Sequence, residues 1–258
     1  MLLADNLREI TRKEEYDLEI FSKSDTGLIR KDNQDSCSFS VISSSCVWAV
    51  VCDGMGGARG GKTASMTAVE YITDYLNCNY KDGINNDDLS ALLIEAVDGA
   101  NTAIYNKSLE DVELMGMGTT CELVMVRNSV IHVVHVGDSR TYSIRGGKIL
   151  QLTEDHSVVQ EMVKRGEITQ EQANDHPNKN FITRALGVNS FVHIDYIEAE
   201  FQYGDVVLLC SDGLTNCVSN ADIVKTIHEN RGVLLVDTLI ELAKMGGGTD
   251  NITATVIY

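Results

Sequence analysis

Apolar positions along this chain fall into short alternating or continuous runs and into longer stripes of helical spacing. Three of the short runs end in an aspartate beside a glycine. Residues 47–52 lead into Asp53-Gly54, 131–136 into Gly137-Asp138, and 206–211 into Asp212-Gly213. A fourth acid, Asp250, opens the last such run, 252–258. Residues 17–51 read as strands turned at Ser43-Ser44-Ser45, and strands return over 119–151 with turns at Arg127-Asn128-Ser129 and Gly146-Gly147. Between them, 60–76 predicts a helix with Ala64, Ala68, Tyr71 and Tyr75 on one stripe. A second helix is expected over 88–106, capped by Asp87 or Asp88, with Leu89, Leu92, Leu93, Ala96, Ala100 and Ile104 on its apolar face. A polar, partly helical insertion spans 153–187. Strands at 191–198 and 205–210, helices at about 220–229 and 232–245, and a final strand from near Asn251 complete the chain.

Helices therefore come in pairs between groups of strands. That order argues against a doubly wound parallel sheet and favours antiparallel sheets with helices packed outside them. A stacked pair of sheets with a helical pair on each side is one solution.

At 258 residues and 43% hydrophobic, the chain can bury a large core. No apolar run approaches the ~18 residues that span a bilayer, and 1–15 lack a signal-peptide core, so a cytoplasmic protein is expected. The net charge of −17 disfavours nucleic acid and anionic membrane as partners, and it disfavours a two-metal nuclease. Seven cysteines without a Cys-x-x-Cys pair fit reduced thiols, with Cys52 and Cys210 as small core residues.

Carboxylates at rigid strand ends are costly to desolvate unless something pairs with them. Several of them from distant segments suggest a shared oxygen-ligand site of the kind Mg²⁺ or Mn²⁺ prefers. Asp53 could bridge two cations with its two oxygens, and the Gly54 carbonyl could add another ligand; Asp53-Gly54-Met55-Gly56-Gly57 also reads as a plain strand-to-helix turn. Arg30 lies five residues before Asp35 on a polar segment, where a planar guanidinium could hold two phosphoryl oxygens; the same segment also reads as a surface turn with a solvated arginine. The glycine-rich stretch lacks a Walker-type ending. Cys121 and Arg127 have the spacing of a cysteine phosphatase loop, but the strand-like residues between them would hold the two ends roughly 20 Å apart. An aspartyl-phosphate mechanism needs Asp-x-Asp, and Asp53 and Asp212 are followed at that position by Met55 and Leu214.

Eight blocks in order carry a resemblance: 24–35, 51–57, Gly116-Met117-Gly118-Thr119-Thr120, 135–140, 152–157, 182–187, 209–215 and Asp250-Asn251-Ile252-Thr253. Together they resemble the bacterial branch of the metal-dependent protein phosphatases of type 2C, over all but residues 1–16. The resemblance implies a four-layer α-β-β-α sandwich of two mostly antiparallel sheets, formed by a single catalytic domain over 17–258. In this reading 1–16 is an N-terminal extension and 153–187 a mobile flap.

It also implies a centre of two Mg²⁺ or Mn²⁺ ions, with a looser third. Asp53 would bridge both ions and the Gly54 carbonyl would bind the second. Asp212 and Asp250 would bind the first, Asp35 would support the second, and Asp138 with Asp212 would hold the third. Arg30 would bind the substrate phosphate. The implied reaction is hydrolysis of phosphoserine or phosphothreonine on proteins by a metal-activated water, without a covalent intermediate. Many eukaryotic members carry a histidine where this chain has Met55, so water at the centre is the expected source of the leaving group's proton.

His132 and His135 are expected to be structural, His156 to brace the flap, and Asp205 to shape a turn. The expected partners are phosphorylated proteins, including a bacterial serine/threonine kinase and its substrates, acted on by a monomer. The competing reading is a catalytically silent phosphoprotein-binding regulator on the same fold. The retained acids Asp35, Asp53, Asp138, Asp212 and Asp250 favour catalysis.

Overall fold

A computed structural model describes residues 17–258; the proposed extension over 1–16 lies outside the described residues. Eleven strands and seven helices follow in the order β1 (Ile20–Asp25), β2 (Asp35–Ser43), β3 (Cys46–Met55), α1 (Gly57–Asn79), α2 (Asn86–Glu110), β4 (Gly118–Thr119), β5 (Cys121–Arg127), β6 (Val130–Val136), β7 (Arg140–Arg145), β8 (Lys148–Gln151), α3 (Val158–Lys164), α4 (Gln170–Asn174), β9 (Asp195–Glu200), β10 (Val206–Cys210), α5 (Asp212–Thr215), α6 (Asn220–Glu229), α7 (Gly232–Met245) and β11 (Ile252–Ile257). One sheet runs β1-β11-β10-β7-β8. The other runs β2-β3-β5-β6-β9, with β4 paired to the end of β3. The pairings within both sheets are antiparallel.

Strand alternation sorts the core into three layers. In β3, Trp48, Val50 and Cys52 face outward into a cluster with Ala64, Ala68, Ile72 and Leu76 of α1 and Leu89, Leu93, Ala96 and Ile104 of α2. Val47, Ala49 and Val51 face inward, against Val207 and Leu209 of β10 and Ile257 of β11. On the far side, Leu208, Cys210, Ala254 and Val256 pack against Leu235, Leu239 and Ile240 of α7 and Ile223 of α6. The expected four-layer sandwich is the one observed.

The inner layer changes character along its length. At one end it is apolar. At the other, the same alternation brings Asp53, Glu122, His135, Thr141, Ser211, Thr253 and Asp35 into the space between the sheets. Two polar links cross that gap. Glu122 of β5, fully buried, pairs with His135 Nδ1 of β6 and accepts a hydrogen bond from Thr141 Oγ1 of β7 at 2.6 Å. Asp35 Oδ2 of β2 accepts from Ser211 Oγ and Thr253 Oγ1 of the opposite sheet, each at 2.7 Å.

Local expectations hold with specific exceptions. The α2 cap is Asn85, whose side chain accepts from Asp88 N at 2.9 Å, rather than Asp87 or Asp88. The strand expected over 191–198 begins only at Asp195, because β6 ends its pairing at His135 opposite Asp195. The apolar residues before it, Val192 and Ile194, pack into the α1–α2 side instead. Asp53 is not the last residue of its strand, which continues to Met55 through the pairing of Gly54 and Met55 with β4. Among the described residues, no helix is long and apolar enough to cross a membrane.

Candidate metal centre

A cavity of about 520 Å³ opens at the polar end of the sandwich, and Asp53, Asp138, Asp212, Asp250, Gly54 and Arg30 all line it. The carriers come from both sheets. Asp53 and Gly54 lie on β3, Asp138 in the turn from β6 to β7, Asp212 just past β10, and Asp250 just before β11. Arg30 sits in the loop between β1 and β2. That loop is held by Asn251, whose Oδ1 accepts from Gln34 N at 2.8 Å and whose Nδ2 donates to the Thr26 and Asp32 carbonyls at 2.9 and 3.0 Å.

Asp35 does not line the cavity. It stands directly opposite Asp53 in the β2–β3 register, behind the wall, and is only 7% exposed. Among the described residues, no three His, Cys, Asp or Glu side chains are gathered in a group of ligand geometry. The acids share a cavity without forming a closed cage.

The backbone at Asp53 is clamped on both sides. Thr120 Oγ1 accepts from Asp53 N at 2.9 Å, and the Asp53 carbonyl accepts from Thr119 Oγ1 at 2.8 Å and Thr120 N at 2.9 Å. Thr120 Oγ1 is in turn hydrogen-bonded to Ser139 Oγ at 2.7 Å. Gly54 has no substitute here: a Cβ on it would lie 2.1 Å from the Gly61 carbonyl oxygen of α1.

The electrostatics ask for a cation. Burial, then repulsion from Asp35, Asp212, Asp138 and Asp250, pushes the Asp53 carboxyl well above the usual carboxylate range. Burial and the neighbouring acids also raise Asp35 and Asp212 to about 6 and Asp138 to about 8. Asp35 Oδ1 and Asp212 Oδ1 are buried oxygens with no hydrogen-bond partner. An all-oxygen donor set with unspent buried lone pairs fits a hard divalent cation such as Mg²⁺ or Mn²⁺. The one guanidinium in the cavity already plays a cation's part, with Arg30 Nη2 lying 2.7 Å from Asp250 Oδ2.

The histidines take supporting positions. His135 is raised above its ordinary value: burial opposes the proton, but Glu122 beside it outweighs that. His156 is pushed down to about 4 by burial and by His135, whose ring centroid lies 4.4 Å away. Its Nδ1 accepts from Gly137 N at 3.0 Å and its Nε2 meets Asp195 Oδ2 at 3.0 Å. The root of the 153–187 segment is thereby tied to the turn that carries Asp138. Arg140, which donates twice to Asp155 at 2.9 and 2.7 Å, adds a second tie.

Comparison with known proteins decides the family. The family model described as protein phosphatase 2C matches residues 30–239. The chain belongs to the protein phosphatase 2C family. Relatives of this phosphatase 2C chain include the serine/threonine phosphatase stp of Listeria monocytogenes, 36% identical over 239 residues, which cover 91% of this chain and 93% of the relative. Among solved structures, the serine/threonine phosphatase of S. agalactiae superposes with a TM-score of 0.87 at 35% identity, covering 93% of this chain and 99% of that one. The catalytic domain of the serine/threonine protein phosphatase PstP, solved in complex with two manganese ions, superposes with a TM-score of 0.80 at 34% identity and covers 93% and 97% of the two chains.

The charge state of the metal-free phosphatase 2C centre has a measurable consequence. A carboxylate whose folded pKa is raised above its unfolded value of 3.8 binds more protons folded than unfolded. Stability then falls as pH rises, by about 1.4 kcal/mol per pH unit for each such proton. His156, depressed from 6.5 to about 4, opposes this trend below pH 6.5. The net decline should therefore show between pH 6.5 and about 8, where Asp138 still titrates. Thermal melts in chelator should give a melting temperature that drops across that window and drops less in Asp138→Asn. Identical pH profiles for the two proteins would contradict the assigned repulsion.

Proposed function

We propose that this phosphatase 2C chain removes phosphate from phosphoserine and phosphothreonine on proteins through a divalent-cation centre. The reading rests on one observation: acids from both sheets and a single arginine converge on one cavity, with buried carboxylate oxygens left unpaired. In it Asp53, the Gly54 carbonyl, Asp212 and Asp250 would hold a pair of divalent cations. Asp35 would support them from behind the wall, and Asp138 with Asp212 would hold a further one. Mg²⁺ or Mn²⁺ bound there would supply a reactive water at neutral pH and offset charge developing on the phosphoryl oxygens.

The chain's own side chains set the geometry. Thr119 and Thr120 fix the Asp53 backbone, Ser211 and Thr253 fix Asp35, and Asn251 fixes the Arg30 loop. Arg30, half exposed at the cavity mouth, orients the phosphoryl group once it leaves Asp250. Met55 offers no proton to the departing alkoxide.

Residues 17–258 act as one catalytic domain in this reading, with 153–187 as its flap. The substrates include a serine/threonine kinase and its targets, and the protein works as a cytoplasmic monomer. A phosphothreonine peptide should be turned over with Mn²⁺, not at all in excess chelator, and again once Mn²⁺ is restored. Phosphopeptide binding without turnover in Mn²⁺ would establish the silent-regulator reading instead.

A further inference from the structure

Next to the catalytic cavity lies a smaller one, of about 230 Å³, with Met55, Ile182, Val188 and Phe191 as its large apolar lining and Thr183, Asn189 and His193 among its polar lining. The two adjoin, since Met55 and Ile182 line both. At that size it falls below the roughly 300–1,000 Å³ of sites for drug-sized ligands and suits a side chain or two. A Cβ on Gly118 of β4 would lie 2.8 Å from Val188 Cγ2 and 3.3 Å from Met55 Cε, so two of the apolar side chains that line it converge over that glycine.

Phe191 stands at the rim with 65% of its surface exposed, its ring edge-on to His193 at a centroid distance of 5.1 Å. The cation in the wall, Arg184, is already spent on Asp195 at 2.8 Å. The other neighbour of the catalytic cavity is unlike it. That space, of about 720 Å³, is lined by charged residues of both signs, Asp138, Glu154, Asp175 and Asp212 with Arg140 and Lys179.

The apolar wall is also held in place. Asn101 of α2 is fully buried and spends both ends of its amide on the loop that presents Val188 and Phe191. Its Oδ1 accepts from Gly187 N at 2.8 Å, and its Nδ2 donates to the Asn189 carbonyl at 3.2 Å. The start of that loop is pinned to β4 by the exchange between Thr119 and Leu186, at 3.1 and 2.8 Å. A buried amide used this way presets an exposed aromatic beside a reaction site, which lowers the ordering cost of binding there.

Resting on the phosphatase reading, we propose that this groove is a substrate subsite that takes an apolar side chain of the phosphopeptide, flanking the phosphorylated residue. The occupant follows from the adjoining position of this cavity and from the lining's chemistry. It shares Met55 and Ile182 with the catalytic cavity, and it offers the carbon surface of Met55, Ile182, Val188 and Phe191 while Arg184 is paired with Asp195. Burying one apolar side chain there favours the matching substrate by roughly 10- to 200-fold in kcat/KM.

The test uses the full-length protein with Mn²⁺ and three substrates: a phosphothreonine peptide with leucines on both sides of the phosphoresidue, the same peptide with serines there, and a small aryl phosphate. Wild type should prefer the leucine peptide about 10-fold or more. Phe191→Ser, at an exposed position, and Val188→Ser should each erode that preference while leaving aryl phosphate turnover unchanged. Equal turnover of both peptides by wild type overturns the inference and leaves the phosphatase reading standing. Absence of turnover of any substrate overturns both. A dimer in sedimentation that Phe191→Ser dissociates, with peptide preference unmoved, assigns the face to a second copy and overturns the subsite.

Discussion

Asp53→Asn is expected to reduce Mn²⁺-dependent turnover of a phosphothreonine peptide on the order of 10³-fold, while raising the melting temperature of the metal-free protein. The two effects share a cause. The Asp53 carboxyl is buried and repelled by Asp35, Asp212 and Asp138, so its charged form carries a cost that a bound proton or cation offsets. An amide removes that cost and the ligand charge together. The Thr119 and Thr120 contacts are to the backbone and survive the change, so the position itself should stay put. Steady-state kinetics with Mn²⁺ and thermal melts in chelator give the two readouts. Retention of more than about a tenth of wild-type kcat would remove Asp53 from the centre. A lower metal-free melting temperature would show that its neighbours do not strain it.

Glu122→Ala should destabilise the protein by about 3–5 kcal/mol, because it leaves His135 buried opposite a void with no counter-charge. Glu122 and His135 are both fully buried, and Thr141 Oγ1 loses its acceptor at the same time. Replacing the pair together, as Glu122→Leu with His135→Leu, should cost much less, since two desolvated charges leave and apolar surface fills the gap. Urea unfolding would report this as a fall in midpoint at unchanged slope. A single-variant loss below about 1 kcal/mol would mean that water reaches His135 and solvates it.

The architecture was legible wherever local periodicity decides the outcome. The paired helices announced an antiparallel arrangement, and α6 and α7 begin and end where their apolar spacing places them. The acids that line the cavity were visible because Asp53, Asp138 and Asp212 each close an apolar strand run and Asp250 opens one. What was not legible depends on contacts across the sandwich. Nothing near Ser211, Thr253 or Glu122 in the chain says that they face Asp35 or His135, since the partners lie 176 and 218 residues from Asp35 and 13 from Glu122. One signal was available. Along β3, β5, β10 and β11 the inward positions change from apolar to polar at the same end, and reading that change strand by strand would have found these residues. The start of β9 was misplaced for a related reason: Val192 and Ile194 are apolar because they pack against the helical side, not because they pair. Asp35 lies behind the cavity wall rather than in it, with its Oδ2 engaged by Ser211 and Thr253 of the opposite sheet.

The contact between Arg30 and Asp250 makes the two halves of the active cavity mutually inhibitory at rest. Each group occupies the other, and the pair is exposed enough that its hold amounts to only about 0–1 kcal/mol. A cation drawn to Asp250 frees the guanidinium, and an anion drawn to Arg30 frees the carboxylate. By thermodynamic reciprocity each must then sharpen the other's affinity by the same factor, a few-fold at most. Inorganic phosphate should accordingly tighten Mn²⁺ binding in titration calorimetry, and Arg30→Ala should abolish that cross-talk.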